Sequence, residues 1–146
     1  MSYLGDTNIL SSLAKRQSSQ YAEVRRALTA LRSRGEKLCL VPQNLIEFWA
    51  IATRPVNANG LGLNVTKALH EIRKFKRYFY LYDDVPGIFA EWENLVFKHQ
   101  VSGKNVHDAR LVAAMLAHGI THLLTFNVKD FKRFHEIIVV DPPNIK

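Results

Sequence analysis

Short apolar runs alternate along the chain with longer stretches in which apolar residues return every three or four positions. The runs at 3–5, 37–41, 78–82, 122–125 and 137–140 have the length of strands. The last of them, Ile137-Ile138-Val139-Val140, is β-branched throughout and predicts a strand buried on both faces. Between the runs, the spacing predicts helices over 21–34, 45–53, 66–76, 88–99 and 106–118. The first aligns Val24, Leu28 and Leu31 and stops before Gly35, a C-cap residue. The helix over 66–76 turns Leu69, Ile72 and Phe75 inward, and the last closes at Gly119. Such alternation implies an α/β fold, a parallel sheet with helices on both faces, formed by one domain over residues 1–146. The stretch 55–64, rich in asparagine and glycine, reads as a mobile loop. Neither an internal repeat nor a low-complexity tract interrupts the pattern.

A chain of 146 residues that is 47% hydrophobic can bury a substantial core. Its formal net charge of +7 and pI of about 9.7 favour an acidic partner, whether nucleic acid, an anionic membrane surface or an acidic protein. The single cysteine, Cys39, lies within Leu38-Cys39-Leu40-Val41. It excludes an internal disulfide and a thiolate zinc site, and it reads as a buried, unreactive thiol. No segment offers the ~20 apolar residues of a membrane span, and the first residues do not have the pattern of a leader. The expected location is therefore cytoplasmic, with no membrane partner.

Against this background three acids stand beside apolar sequence. Asp6 follows Tyr3-Leu4-Gly5, Glu47 lies inside Leu45-Ile46-Glu47-Phe48-Trp49, and Asp108 precedes Leu111-Val112-Ala113-Ala114 by one turn. A carboxylate next to a core is costly unless a positive or hydrogen-bonding group compensates it. Each acid has an ordinary explanation when taken alone. Asp6 can cap a helix beginning at Thr7-Asn8, Glu47 can pair with an arginine, and Asp108 can sit favourably in the first turn of a helix capped by Asn105. Ligands of open parallel sheets gather at the carboxyl ends of the strands, where Asp6 stands. A fourth polar cluster, Thr125-Phe126-Asn127-Val128-Lys129-Asp130, leaves a strand at the same kind of edge. There Asn127 can offer a neutral oxygen and Asp130 a charged one.

Four segments in order resemble the PIN-domain nucleases, and among them the VapC-like toxins of bacterial toxin–antitoxin pairs. They are Tyr3-Leu4-Gly5-Asp6-Thr7-Asn8-Ile9-Leu10, Val41-Pro42-Gln43-Asn44-Leu45-Ile46-Glu47-Phe48 with Thr53-Arg54-Pro55, His107-Asp108-Ala109-Arg110-Leu111, and Leu124-Thr125-Phe126-Asn127-Val128-Lys129-Asp130-Phe131. The resemblance implies a five-stranded parallel sheet ordered 3-2-1-4-5 between helices. It implies a catalytic set of Asp6, Glu47, Asp108 and Asn127, with Asp6 and Asp108 as metal ligands and Thr7, Asn8 and Asp130 in support. The family's fourth acidic position falls on Asn127, a departure that favours one tightly held metal over two. The implied cofactor is Mg²⁺, for which Mn²⁺ can substitute, and the implied reaction is phosphodiester hydrolysis in RNA. Independently of the resemblance, Mg²⁺ takes oxygen ligands and is typically held by a few carboxylates, waters and substrate phosphate.

Arg54, Lys104, Arg110 and Lys129 are the basic residues expected to meet the RNA backbone, while His107 is expected to be peripheral. The resemblance also implies a cognate antitoxin protein and a homodimer. Two other readings fit parts of the sequence. An inactive RNA-binding module would account for the neutral Asn127. A phosphoacceptor receiver domain would use Asp83 and Lys129 but leaves Glu47 without a role.

Overall fold

A computed structural model describes residues 1–146. The apolar runs form strands β1 (Ser2–Gly5), β2 (Lys37–Leu40), β3 (Tyr80–Leu81), β4 (His122–Leu124) and β5 (Ile138–Val140). All neighbours pair in parallel, in the order β3-β2-β1-β4-β5. That order is the one implied by the sequence. Seven helices accompany them: α1 (Thr7–Ala14), α2 (Ser19–Ser33), α3 (Pro42–Thr53), α4 (Val65–Tyr78), α5 (Ile88–Lys98), α6 (Val106–His118) and α7 (Val128–Phe131).

Side chains alternate along each strand, so the two faces of the sheet feed separate cores. Tyr3, Leu38, Leu40 and Leu124 join α1 to α4 in one core, built around Phe48 and Phe75 in edge-to-face contact. Leu4, Cys39, Val41 and Leu123 join α5 and α6 in the other. Cys39 is fully buried, and burial pushes its thiol pKa up to about 11, so the thiol is inert as expected. No helix is long and apolar enough to cross a membrane.

Four expectations are corrected. The run at 78–82 yields only Tyr80–Leu81, because α4 continues to Tyr78. β5 is not buried on both faces: it is an edge strand, and Ile138 is 54% exposed. Leu69 also stays outside at 39% exposure, because Ala68 and Phe75 supply the inner side of α4. The stretch 55–64 is no loose loop. Val56–Ala58 forms a 3₁₀ turn, and the N–H groups of Leu61, Gly62 and Leu63 donate to the carbonyls of Ile51, Arg54 and Ala52 at 2.8–3.0 Å. The segment thereby satisfies the last carbonyls of α3, which would otherwise lack partners.

Gly60 makes this return possible. A Cβ added there would lie 2.0 Å from the Arg54 carbonyl oxygen, which is backbone and cannot swing away. Gly60→Ala is therefore expected to lower stability by about 1–3 kcal/mol, the usual cost of overpacking. Urea unfolding would measure it, and an unchanged midpoint would show that the loop can shift freely.

Candidate active site

β1 ends at Gly5, and its ladder continues for one more residue, the Asp6 N–H donating to the Leu124 carbonyl at 2.9 Å. Asp6 thus stands at the carboxyl edge in the middle of the sheet, directly beside Thr125. Its Oδ1 accepts from the Thr7 N–H at 2.8 Å and caps α1. Its Oδ2 accepts from the Thr125 hydroxyl at 2.7 Å, and the Asn8 amide lies 3.4 Å away. The capping role and the site role of Asp6 coexist, one on each oxygen.

Thr125 is fully buried and is the hub of this corner. While donating to Asp6, its oxygen accepts from Asn8 Nδ2 at 3.1 Å and from the Asn127 N–H at 3.0 Å. Asn8 Oδ1 in turn accepts from the Phe126 N–H at 3.3 Å. Asn127 precedes α7 with its side chain exposed, and its bond into the site is made by its backbone.

Glu47 sits in the second turn of α3, half-buried. Its Oε1 accepts from the Thr7 hydroxyl at 3.2 Å, with Gln43 Nε2 one turn earlier at 3.5 Å. Asp108 occupies the first turn of α6, also half-buried. Asp130 lies exposed on α7. None of these four acids has a lysine or arginine within ion-pair distance.

What they have is one another. Burial raises the pKa of Asp6, opposed by its bonds to Thr125 and Thr7, and the charge of Asp130 raises it further. Burial likewise raises Glu47, which the Thr7 bond counters and the charge of Asp6 reinforces. Asp108 is pushed up to about 6, first by burial and then by Asp6, Asp130 and Glu47. The attractive charge among the main influences on Glu47 and Asp108 is His107, an exposed residue beside Asp108. Four carboxylates, one just after β1 and the others on α3, α6 and α7, therefore share one field with no lysine or arginine paired to them. A set of hard oxygen donors with excess negative charge fits a divalent cation such as Mg²⁺. No three acidic, histidine or cysteine side chains are arranged to hold an ion by themselves.

The chain from residue 3 to residue 137 matches the PIN domain model. It belongs to the PIN domain family. Nucleases of this family generally use divalent metal ions, and the acid cluster stands where this PIN domain's strands end. The receiver reading falls with this assignment, since Asp83 is exposed and follows β3 at the edge of the sheet.

Among solved structures, the PIN domain is similar to VapBC2 from Rickettsia felis bound to a DNA fragment from its promoter. That match has 16% identity and a TM-score of 0.71, over 97% of this chain and 98% of the other. VapBC-1 from nontypeable Haemophilus influenzae matches at 19% identity and a TM-score of 0.71, over 99% and 100%. Mycobacterium tuberculosis VapC20, a sarcin–ricin-loop-cleaving toxin, matches at 13% identity and a TM-score of 0.66, over 90% and 95%. At these identities the likeness is one of fold. No curated protein matches the chain in sequence.

Sequence reasoning named Asp6, Glu47, Asp108, Thr7, Asn8 and Asp130, and the fold brings them to one edge. It gave no role to two residues that hold that edge together, Thr125 and Gln43. Arg110 behaves differently from the exposed Arg54, Lys104 and Lys129. One guanidinium nitrogen donates to Gln43 Oε1 at 3.0 Å, and the other lies 3.4 Å from Asp84 Oδ2.

Proposed function

We propose that this PIN domain is a Mg²⁺-dependent endoribonuclease and the toxin of a toxin–antitoxin pair. The observation that carries the catalytic part is the convergence of Asp6, Glu47 and Asp108 on the carboxyl edge with no lysine or arginine to neutralise them. The partner part is supported by the toxin–antitoxin complexes among its structural neighbours. A cognate antitoxin and a second copy of the chain are the proposed protein partners.

In this reading Asp6 and Asp108 hold the cation. When bound, a divalent ion neutralises charge developing on phosphorus and lowers the pKa of a coordinated water. The chain's own groups do the rest. Thr125 and the Thr7 N–H fix the Asp6 carboxylate from two sides. Thr7 occupies Oε1 of Glu47, which leaves Oε2 to take a proton from the attacking water. The raised pKa of Glu47 suits a general base better than an ordinary glutamate would. In-line attack by water on a phosphodiester then breaks the bond from phosphorus to the 3′ oxygen, which takes a proton from solvent, and leaves a 5′-phosphate and a 3′-hydroxyl; in this reading Asn127 and Asp130 orient water or substrate. Arg54, Lys104 and Lys129, all exposed, supply contacts to the polyanion, within a net charge of +7 that steers it.

The test uses purified protein with a mixed RNA substrate. Cleavage is expected with Mg²⁺ or Mn²⁺, to stop with EDTA, and to resume when the metal is returned. Binding that survives EDTA without any cleavage in metal would identify an RNA-binding module instead.

A further inference from the structure

The helices bearing Glu47 and Asp108 belong to different cores. α3 packs through Phe48 and Ala52 on one face of the sheet, and α6 through Ala109 and Leu111 to Met115 on the other. The side-chain hydrogen bonds that join the two helices directly run through one amide. Gln43 lies one turn before Glu47 on α3, and its Nε2 donates to the carbonyl of His107 on α6 at 2.8 Å. His107 adjoins Asp108, and Arg110 follows two residues later, donating back to Gln43 Oε1 at 3.0 Å.

These partners fix which way the amide faces. Turned over, Gln43 would point its N–H groups at the guanidinium and its oxygen at the His107 carbonyl, losing both bonds. Arg110 thus keeps the N–H side toward Glu47 Oε1, 3.5 Å away. The second terminal nitrogen of the guanidinium lies 3.4 Å from Asp84 Oδ2, so Arg110 is engaged by Gln43 on one side and Asp84 on the other.

We infer that Gln43 and Arg110 form a clamp across α3 and α6 that positions Glu47 against Asp108, and that Arg110 is a positioning residue, not a phosphate contact. The inference rests on the reading of Glu47 as the base. Groups that orient catalytic or metal-binding side chains typically contribute 10–100-fold to activity or metal affinity.

Single-stranded RNA cleavage by Gln43→Met, Arg110→Met, the double variant, Arg110→Lys, Lys129→Met and Glu47→Gln, followed over a range of salt, tests it. Gln43→Met and Arg110→Met should each lower kcat by ~10–100-fold with little change in KM. The double variant should be no worse than either single one, since both act through the same amide. Arg110→Lys, which keeps a donor for Gln43, should recover part of the loss. The slope of log KM against log salt should stay at the wild-type value in Arg110→Met. In Lys129→Met it should fall by ~0.7, the share of one phosphate contact on a single strand.

A second readout needs neither metal nor RNA. The Gln43 side-chain NH₂ signals in a ¹⁵N-correlation spectrum should shift in Arg110→Met and remain in place in Lys129→Met. The clamp is overturned if Arg110→Met raises KM and flattens the salt slope, if the double variant loses the product of the two single losses, or if the Gln43 signals do not respond to Arg110. Full activity in Gln43→Met while Glu47→Gln is inactive would remove the clamp and leave the base standing. Full activity in Glu47→Gln would remove both.

Discussion

Asp108→Asn is expected to yield a protein that melts at a higher temperature than the wild type and does not cut RNA. The Asp108 carboxyl has its pKa raised to about 6 by burial and by the charges of Asp6, Asp130 and Glu47. A folded-state value above the ordinary one means that folding favours the protonated form. The stability it contributes is complete below about pH 4 and is lost as pH rises through about 6. At pH 7.5 the wild type carries an unwelcome charge that asparagine removes. After discounting for the solvent that reaches this half-exposed group, the gain is about 1–2 kcal/mol, or roughly 3–6 °C in Tm.

The catalytic consequence runs the other way, because the residue that destabilises the apo fold is the one proposed to hold the metal. Its loss should reduce cleavage by more than the ~100-fold that loss of an orienting neighbour can cause. Melting curves in EDTA at pH 5, 7 and 8, repeated with saturating Mn²⁺, check both halves. The wild type should be stabilised by lower pH and by metal, the variant much less by either. A lower Tm in the variant, or retained cleavage, would contradict the assignment of Asp108.

Thr125→Val is expected to cost about 2–4 kcal/mol although it exchanges one side chain for another of almost the same shape. The hydroxyl is fully buried, donates to Asp6 and accepts from Asn8 and from the Asn127 N–H. Valine leaves all three without that partner, and an unsatisfied buried polar group costs roughly 1–3 kcal/mol. The sum falls below three full penalties because Asn8 and Asn127 still reach water. Cleavage should decline ~10–100-fold with the loosened Asp6 carboxylate. Thr125→Ser keeps the hydroxyl and should restore activity, at the smaller cost of a lost methyl. Denaturant unfolding of the three proteins would decide the point, and a valine variant as stable as the wild type would show that Asp6 does not depend on this bond.

The parts of the fold that were legible in the sequence are those in which burial and period coincide. Leu38-Cys39-Leu40 and His122-Leu123-Leu124 read as strands because every residue is inside, and α6 has the bounds its spacing predicts. α1 and α7, of eight and four residues, are too short to show a helical period, so Asp6 could be read as a cap without the helix itself being drawn. The edge position of β5 cannot be read from its residues, because β-branched side chains suit an edge strand as well as a buried one, and only topology tells the two apart.

The acids of the site were legible because charge beside apolar sequence is conspicuous. Thr125 was not, since a hydroxyl at a strand end gives no sign of a bond to a residue 119 positions away. The contacts of Arg110 were hidden for a similar reason. A base near an acid cluster suggests phosphate, and only the distances to Gln43 and Asp84 reveal its engagement with the protein.

The middle position of β1 has a consequence for the order in which the protein comes into being. β1 is made first, yet one of its two neighbours, β4, begins only at residue 122, and β5 follows at 138. Until those strands are synthesised, Asp6 is without Thr125 and stands beside an open edge, and α7 with Asp130 does not exist. Domains condense as units once such distant pairings become possible. The acids of the site therefore remain an incomplete set on the ribosome until β4 and β5 have been made, and only then can the carboxyl edge close.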